Sequence, residues 1–365
     1  MQLILRYFLL SVTMLPAIVT AEIKLPLPEI TIPKITEEVQ RETDSDQDFQ
    51  PAMPHAKVGP IYPIYYARKK KEGWVDLTFS VEKDGSISNV LVTNDSGGAQ
   101  FVTEAIKAIN RWKYKPALEF KQPVQSNIHN QRLTFKFDRD KKIREKVYEF
   151  YMQGLEFIEA HDRDGMDEIY EQINDLNFRK YGEKDFADVY TLNYASHIDD
   201  SDLYLSTLKN IELVSIIVTF PDLWAELAME KVKLLAEDHK LAEALSLLNH
   251  IEAENSKTIE QTRLLSSREQ LNQYIESDID LVIDGKTNKL GIWQHHLARN
   301  HFAITNLEGK LESLDIRCDN TRRLIDIDGN SEWQIPKKWR NCVLYFQSEK
   351  SAQFTLIEFA TRKIV

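Results

Sequence analysis

The feature that most limits the fold is an alternation of apolar and polar side chains that turns back on itself. Trp74-Val75-Asp76-Leu77-Thr78-Phe79-Ser80-Val81 has the two-residue period of a half-buried strand. Asp84-Gly85 follows, a pair suited to a two-residue hairpin turn with positive φ at both central positions. Ile87-Ser88-Asn89-Val90-Leu91-Val92-Thr93 reads as the return strand, and Gly97-Gly98 ends it. Phe101, Ala105, Ile109 and Trp112, with Val102 and Ile106, recur three and four residues apart. That spacing predicts an amphipathic helix over 100–112, stopped by Pro116. Leu133-Thr134-Phe135-Lys136-Phe137 alternates again as a third strand. The expected unit is a small three-stranded antiparallel sheet with helices, of α+β class.

Tyr62-Pro63, Glu72-Gly73-Trp74-Val75, Val81 ahead of Asp84-Gly85, and Arg111-Trp112-Lys113-Tyr114-Lys115-Pro116 occur in that order. Together they make residues 61–138 resemble the C-terminal domain of the TonB family. Where the family usually has Ala, third after Tyr-Pro, this chain has Tyr66, with Ala67 beside it. The resemblance implies a binding domain without enzymatic activity. In the family an extended peptide, the TonB box of an outer-membrane transporter, adds itself to the third strand through backbone hydrogen bonds. On this chain that implies peptide contacts at Asn130, Arg132, Thr134 and Lys136 on the outward face, with Tyr62 and Pro63 near the partner. Leu133, Phe135 and Phe137 would face the helix, and Trp112 and Tyr114 would pack in the core.

Upstream, residues 1–21 carry Arg6, an apolar run over 7–19 and the small-residue end Val19-Thr20-Ala21, the signature of a cleaved signal peptide. Export to the periplasm follows from it. The alternative is an uncleaved inner-membrane anchor, although a helix over 7–21 would span only ~22 Å of a ~30 Å hydrocarbon core. Residues 22–60 contain Pro26, Pro28 and Pro33 and an acidic run over 37–48, and read as a disordered Pro/acidic tether. Energy transducers of the TonB family carry a Ser/His pair in their membrane helix. This chain has Ser11 there, but its first histidine is His55, so the resemblance points to binding rather than transmission of force.

The net charge of −11 argues against nucleic acid as a partner. Arg68-Lys69-Lys70-Lys71 is a local exception. It reads as a solvated helix face, or as a contact for anionic lipid headgroups or peptidoglycan stems.

Residues 139–276 change to helical periodicity, with helices expected over 141–160, 166–176, 185–197, 202–220, 222–237, 240–253 and 258–275. Trp224-Ala225, Leu227-Ala228, Leu234-Leu235, Ala242, Ala244-Leu245 and Leu247-Leu248 loosely resemble a tetratricopeptide hairpin. A helical-repeat-like array would offer a concave binding face, which makes an envelope scaffold or assembly protein the alternative function. A plain packed helical domain is the other reading of this region. Residues 277–365 read as a β-rich domain, a sandwich, with Asp284-Gly285 as a second hairpin turn. It holds both cysteines, Cys318 and Cys342, and an exported chain would pair them. Closing that loop would contribute ~3–4 kcal/mol in the chain-entropy account.

Nothing in the sequence forms a catalytic constellation. Gly-x-Ser-x-Gly, the P-loop and Gly-x-Gly-x-x-Gly are absent. His295-His296 and His301 lack the spacing and the acidic or thiol neighbours of a zinc set, so neither metal nor cofactor is expected.

Overall fold

The computed structural model describes residues 49–137, 143–254 and 259–360. The signal-peptide reading of 1–21 and the tether reading of 22–48 lie outside the described residues. In chain order the first part comprises β1 (Phe49–Gln50), β2 (Met53–Ala56), α1 (Ile64–Arg68), β3 (Gly73–Val81), β4 (Ile87–Asp95) and α2 (Ala99–Ile109). β5 (Lys113–Lys115), β6 (Ala117–Glu119), β7 (Gln122–Val124) and β8 (Ser126–Phe135) follow. β3 runs between β4 and β8, antiparallel to both. Val75, Leu77, Phe79 and Val81 point to one face, where Phe101, Ala105, Ala108 and Ile109 of α2 meet them. Each large side chain buried there stabilises the fold by about 1.5–3 kcal/mol relative to exposure. Trp112 and Tyr114 lie in the same core, as their spacing predicts.

The structure changes the outline of this domain in two places. Part of the expected tether is ordered, because β1 pairs with β6 and β2 with β5. The indole N–H of Trp112 donates to the Val58 carbonyl at 2.7 Å, and Lys57 Nζ sits 4.5 Å above the same ring. A buried indole donor and an unpaired short strand both need partners, and the chain just upstream supplies them. The hairpin after β3 also differs from expectation. Only Gly85 has positive φ, at 78°, and Asp84 does not share it. Glu82 O accepts from Gly85 N and Ser86 O from Glu82 N, both at 2.8 Å, so the loop is the three-residue type with glycine in the left-handed position.

The middle part is helical: α3 (Glu145–Glu159), α4 (Arg163–Asn174), α5 (Glu183–His197), α6 (Ser201–Asn210), α7 (Leu213–Thr219), α8 (Pro221–Glu237), α9 (Leu241–Ala253) and α10 (Gln261–Ile275). The single helix expected over 202–220 is broken. Ile211 leaves α6 in extended conformation, φ −65° and ψ 135°, and buries its side chain. The break has a structural use, because it turns the Glu212 carboxylate towards the sheet.

The last part comprises β9 (Leu281–Lys286), β10 (Ile292–His296), β11 (His301–Glu308), β12 (Ser313–Cys318), β13 (Thr321–Asp326), β14 (Ser331–Gln334), β15 (Val343–Gln347) and β16 (Gln353–Glu358). They form two four-stranded antiparallel sheets, ordered β10-β15-β12-β13 and β14-β11-β16-β9. Phe354 bridges the two layers, its ring 5.1 Å from Trp293 and 4.9 Å from Phe346. Cys318 and Cys342 are joined by a disulfide. Asp284-Gly285 is not a turn. Both residues lie inside β9, opposite Thr355 and Phe354. A Cβ on Gly285 would come within 2.5 Å of the Phe354 ring, so the glycine makes room for an aromatic rather than for a reversal.

The three parts interlock. The face of the β4-β3-β8 sheet turned away from α2 packs on the β10-β15-β12-β13 layer, where Leu91 meets Ile292, Val343 and Tyr345. Asn127 Nδ2 donates to the carbonyls of Cys318 and Thr321 at 2.6 and 2.7 Å. His129 Nδ1 lies 3.0 Å from Tyr345 Oη.

Gly85→Ala tests the hairpin. A Cβ there would stand 1.9 Å from the Tyr114 carbonyl oxygen, and left-handed φ adds its own strain. The substitution should cost about 2 kcal/mol or more in urea unfolding. An unchanged midpoint would contradict the assignment.

Candidate functional site: the outer edge of the third strand

β8 has β3 on one side and, among the described residues, no strand on the other. Such an edge presents unpaired N–H and C=O groups to any extended chain that reaches it. The strand is not regular. Its register against β3 shifts between Leu77 and Phe79, and Asn130 takes φ 53°, so a bulge interrupts the alternation that the sequence suggests.

Of the six residues expected to contact a peptide, three are open. Asn130 is exposed at the bulge, Thr134 is exposed opposite Trp74, and Lys136 is exposed with Nζ 3.5 Å above the Tyr181 ring. The other three serve the protein's own packing. Tyr62 sets its ring against Phe101, Phe135 and Phe137 and donates its hydroxyl to Lys71 O at 2.6 Å. Pro63 is buried at the start of α1. Arg132 forks onto both oxygens of Asp76 at 2.7 Å, reaches Glu212 Oε2 at 2.7 Å through its remaining nitrogen, and stacks 3.8 Å above Trp74. A planar guanidinium saturated in this way has little left for a ligand. At the other end of β8, Asn127 is held by the start of the β12–β13 hairpin. The usable edge is therefore the stretch 130–136.

The groups that frame this edge carry no local signal in the sequence. Glu72 accepts from Phe137 N through one carboxylate oxygen, at 3.0 Å, and from Tyr181 N through the other, at 2.9 Å. Its own N–H donates to Arg179 O at 2.8 Å. Beside it lies a cleft of about 520 Å³ between the sheet and the helices, lined by Trp74, Asp185, Glu212 and Lys289 among others. Burial pushes the Asp185 carboxyl up to about 6, against hydrogen bonds from Ser215 and Thr219, both at 2.6 Å. Lys71, Lys184 and Lys289 on the cleft wall are engaged with Gly97 O, Asp188 and Asp95. The charges of this cleft answer one another.

The histidines of the β-rich part sit at joints. His295 is fully buried, with Nε2 2.6 Å from Glu358 and Nδ1 3.0 Å from Glu243 of α9. Burial alone would lower its pKa, but the two carboxylates outweigh that and push it up to about 10. His301 pairs with Glu332 at 2.5 Å. Among the described residues no group of three or more His, Cys, Asp or Glu is placed to hold a metal ion, and no helix is long and apolar enough to cross a membrane.

Residues 58–137 match the family model described as the C-terminal of the Gram-negative bacterial TonB protein. That match spans 80 of the chain's 365 residues, a TonB C-terminal-like segment within a longer polypeptide. Among solved structures, the solution NMR structure of the Pseudomonas aeruginosa TonB CTD is 22% identical, covers 26% of this chain and 93% of its own, and has a TM-score of 0.22. The TonB2 protein from Vibrio anguillarum is 26% identical, covers 29% of this chain and 98% of its own, and has a TM-score of 0.19. No curated protein matches the chain.

Two outcomes follow from these contacts. Arg132→Ala leaves Asp76 and Glu212 facing each other without a cation and should cost about 2 kcal/mol, between the values for exposed and buried pairs. Arg132→Lys, which cannot fork, should recover only part of that. Denaturant titration of the three proteins checks the order. For His295, the folded pKa lies above the usual 6.5. Its contribution is complete below about pH 6.5 and declines as pH rises towards about 10. Thermal melts over that window should show stability falling with pH, and a shallower fall in His295→Gln. Parallel slopes would refute the charged triad.

Proposed function

We propose that this protein is a non-enzymatic periplasmic protein that holds an extended segment of another envelope protein as an added strand on β8. Its place would be in TonB-dependent outer-membrane transport, with a transporter as partner. The supporting observation is the TonB C-terminal match over residues 58–137 combined with an open strand edge at 130–136. Backbone hydrogen bonds would supply affinity, and Asn130, Thr134 and Lys136 would supply selectivity. Arg132 would act indirectly, by fixing the edge against the helices.

A second reading rests on Val214 and Val218, 58% and 68% exposed on α7. They favour an envelope scaffold whose helical part, read as a repeat-like array, takes the partner. Removing the whole helical part would not separate the two readings, because Glu212 and Tyr181 leave with it and the edge loses its support.

Point substitutions do separate them. Thr134→Pro should disturb the ladder that an added strand needs and reduce capture of partners from envelope extract at least tenfold, while Val214→Ser/Val218→Ser should leave capture unchanged. Melting curves confirm that each variant is folded, and a cross-linker carried on Thr134→Cys gives a readout that spares the backbone. Equal capture by wild type and Thr134→Pro, with loss in the α7 variant, assigns the partner to the helices instead.

A further inference from the structure

The short helix α1 presents two different surfaces. Tyr66 and Ala67 turn inward, with the Tyr66 ring 4.4 Å from Phe101. On a helix with 3.6 residues per turn, Ile64, Tyr65, Arg68 and Lys69 share the opposite side. Ile64 is 71% exposed, Tyr65 is 52% exposed, and Ile61 just before the helix is 64% exposed. Arg68, Lys69 and Lys70 are exposed beside them. Lys71, the fourth member of the basic run, is spent internally on Gly97 O at 2.6 Å. Lys69 lies over the Tyr65 ring, its Nζ 2.6 Å from the phenol oxygen, so cation and aromatic sit together on the surface. Among the described residues, neither Arg68 nor Lys70 has an acidic partner within ion-pair distance.

We propose that this patch docks on the surface of an anionic lipid bilayer. Two exposed isoleucines, an exposed tyrosine and three exposed cations on one short segment match the composition of a membrane interface. Isoleucine enters the acyl boundary, tyrosine sits among the headgroups, and the long basic chains reach lipid phosphates. Each cation near such a surface adds about fivefold to binding. A protein partner fits less well, because five helical residues offer far less than the roughly 800 Å² per side of a stable interface. A glycan wall fits less well too, since exposed isoleucines gain nothing from sugar hydroxyls. The net charge of −11 means that most of the remaining surface is repelled by anionic lipid, so the patch would also fix how the protein lies on the membrane.

The inference is independent of strand addition, and its test uses lipid alone. The full chain is sedimented with vesicles of equal parts phosphatidylglycerol and phosphatidylcholine, and with vesicles of phosphatidylcholine only. Binding is expected to the anionic vesicles and to weaken steeply with salt. Arg68→Glu/Lys70→Glu should lower it at least twentyfold, Ile64→Ser about tenfold, and Thr134→Pro not at all. All four side chains are on the surface, and melting curves verify that the variants fold. Equal binding to both kinds of vesicle, absence of binding, or indifference to Ile64→Ser each overturns the proposal. Retention on purified peptidoglycan that survives Ile64→Ser would assign the patch to the wall and overturn it as well.

Discussion

One guanidinium holds the middle of this molecule together. Arg132 lies on Trp74, grips Asp76 on the neighbouring strand and reaches Glu212 in the break between α6 and α7. Partly shielded from water, its three attractions are stronger than those of a surface ion pair and depend on the planar fork. Through this one side chain the sheet, its edge and the helical part take fixed positions relative to one another. Glu72 reinforces the same seam by capping Phe137 and Tyr181 with its two oxygens.

The opposite end of the sheet is fixed by a different chemistry. Thr78 and Ser80 on β3 are fully buried under the β-rich part. Buried hydroxyls need partners, and they find them in Ile128 O and Asn127 Oδ1. Arg317 is buried nearby and is neutralised by Asp315, which also receives Arg322. Burial, with the neighbouring His296 and Arg317, lowers the pKa of His129 to about 3 and keeps it neutral against Tyr345. A polar seam of this kind contributes little net stability but tolerates few alternative alignments, because any slip leaves a charge or hydroxyl unpaired.

For the proposed function, the consequence is a strand edge that is short and rigid. The third strand of the sheet is present, but Asn127 near its start is held by the β12–β13 hairpin and Arg132 by Asp76 and Glu212. What is left at 130–136 is preorganised, so little ordering would be needed when a strand arrives. The exposed α1 patch, proposed to meet a membrane, lies on a separate element from the edge.

The sequence by itself determined local elements of the first domain, namely the β3–β4 hairpin, the apolar face of α2 and the burial of Trp112 and Tyr114, and it indicated the pairing of Cys318 with Cys342 in the β-rich part. The first three depend on periodicity and turn chemistry, which act over a few residues, and the disulfide reading rests on there being two cysteines in one domain of the sequence. It misplaced Asp284-Gly285, because a glycine required by the Phe354 ring is indistinguishable in sequence from one required by a turn. It also carried the helix over 202–220 through Ile211, because the pull on Glu212 comes from an arginine on another part of the chain. Only the tertiary structure decided that Arg132 is a clamp while Thr134, two residues away, stays open. Both lie on the same face of the same strand, and their difference is made by Asp76 and Glu212, whose positions depend on long-range packing that no local pattern encodes.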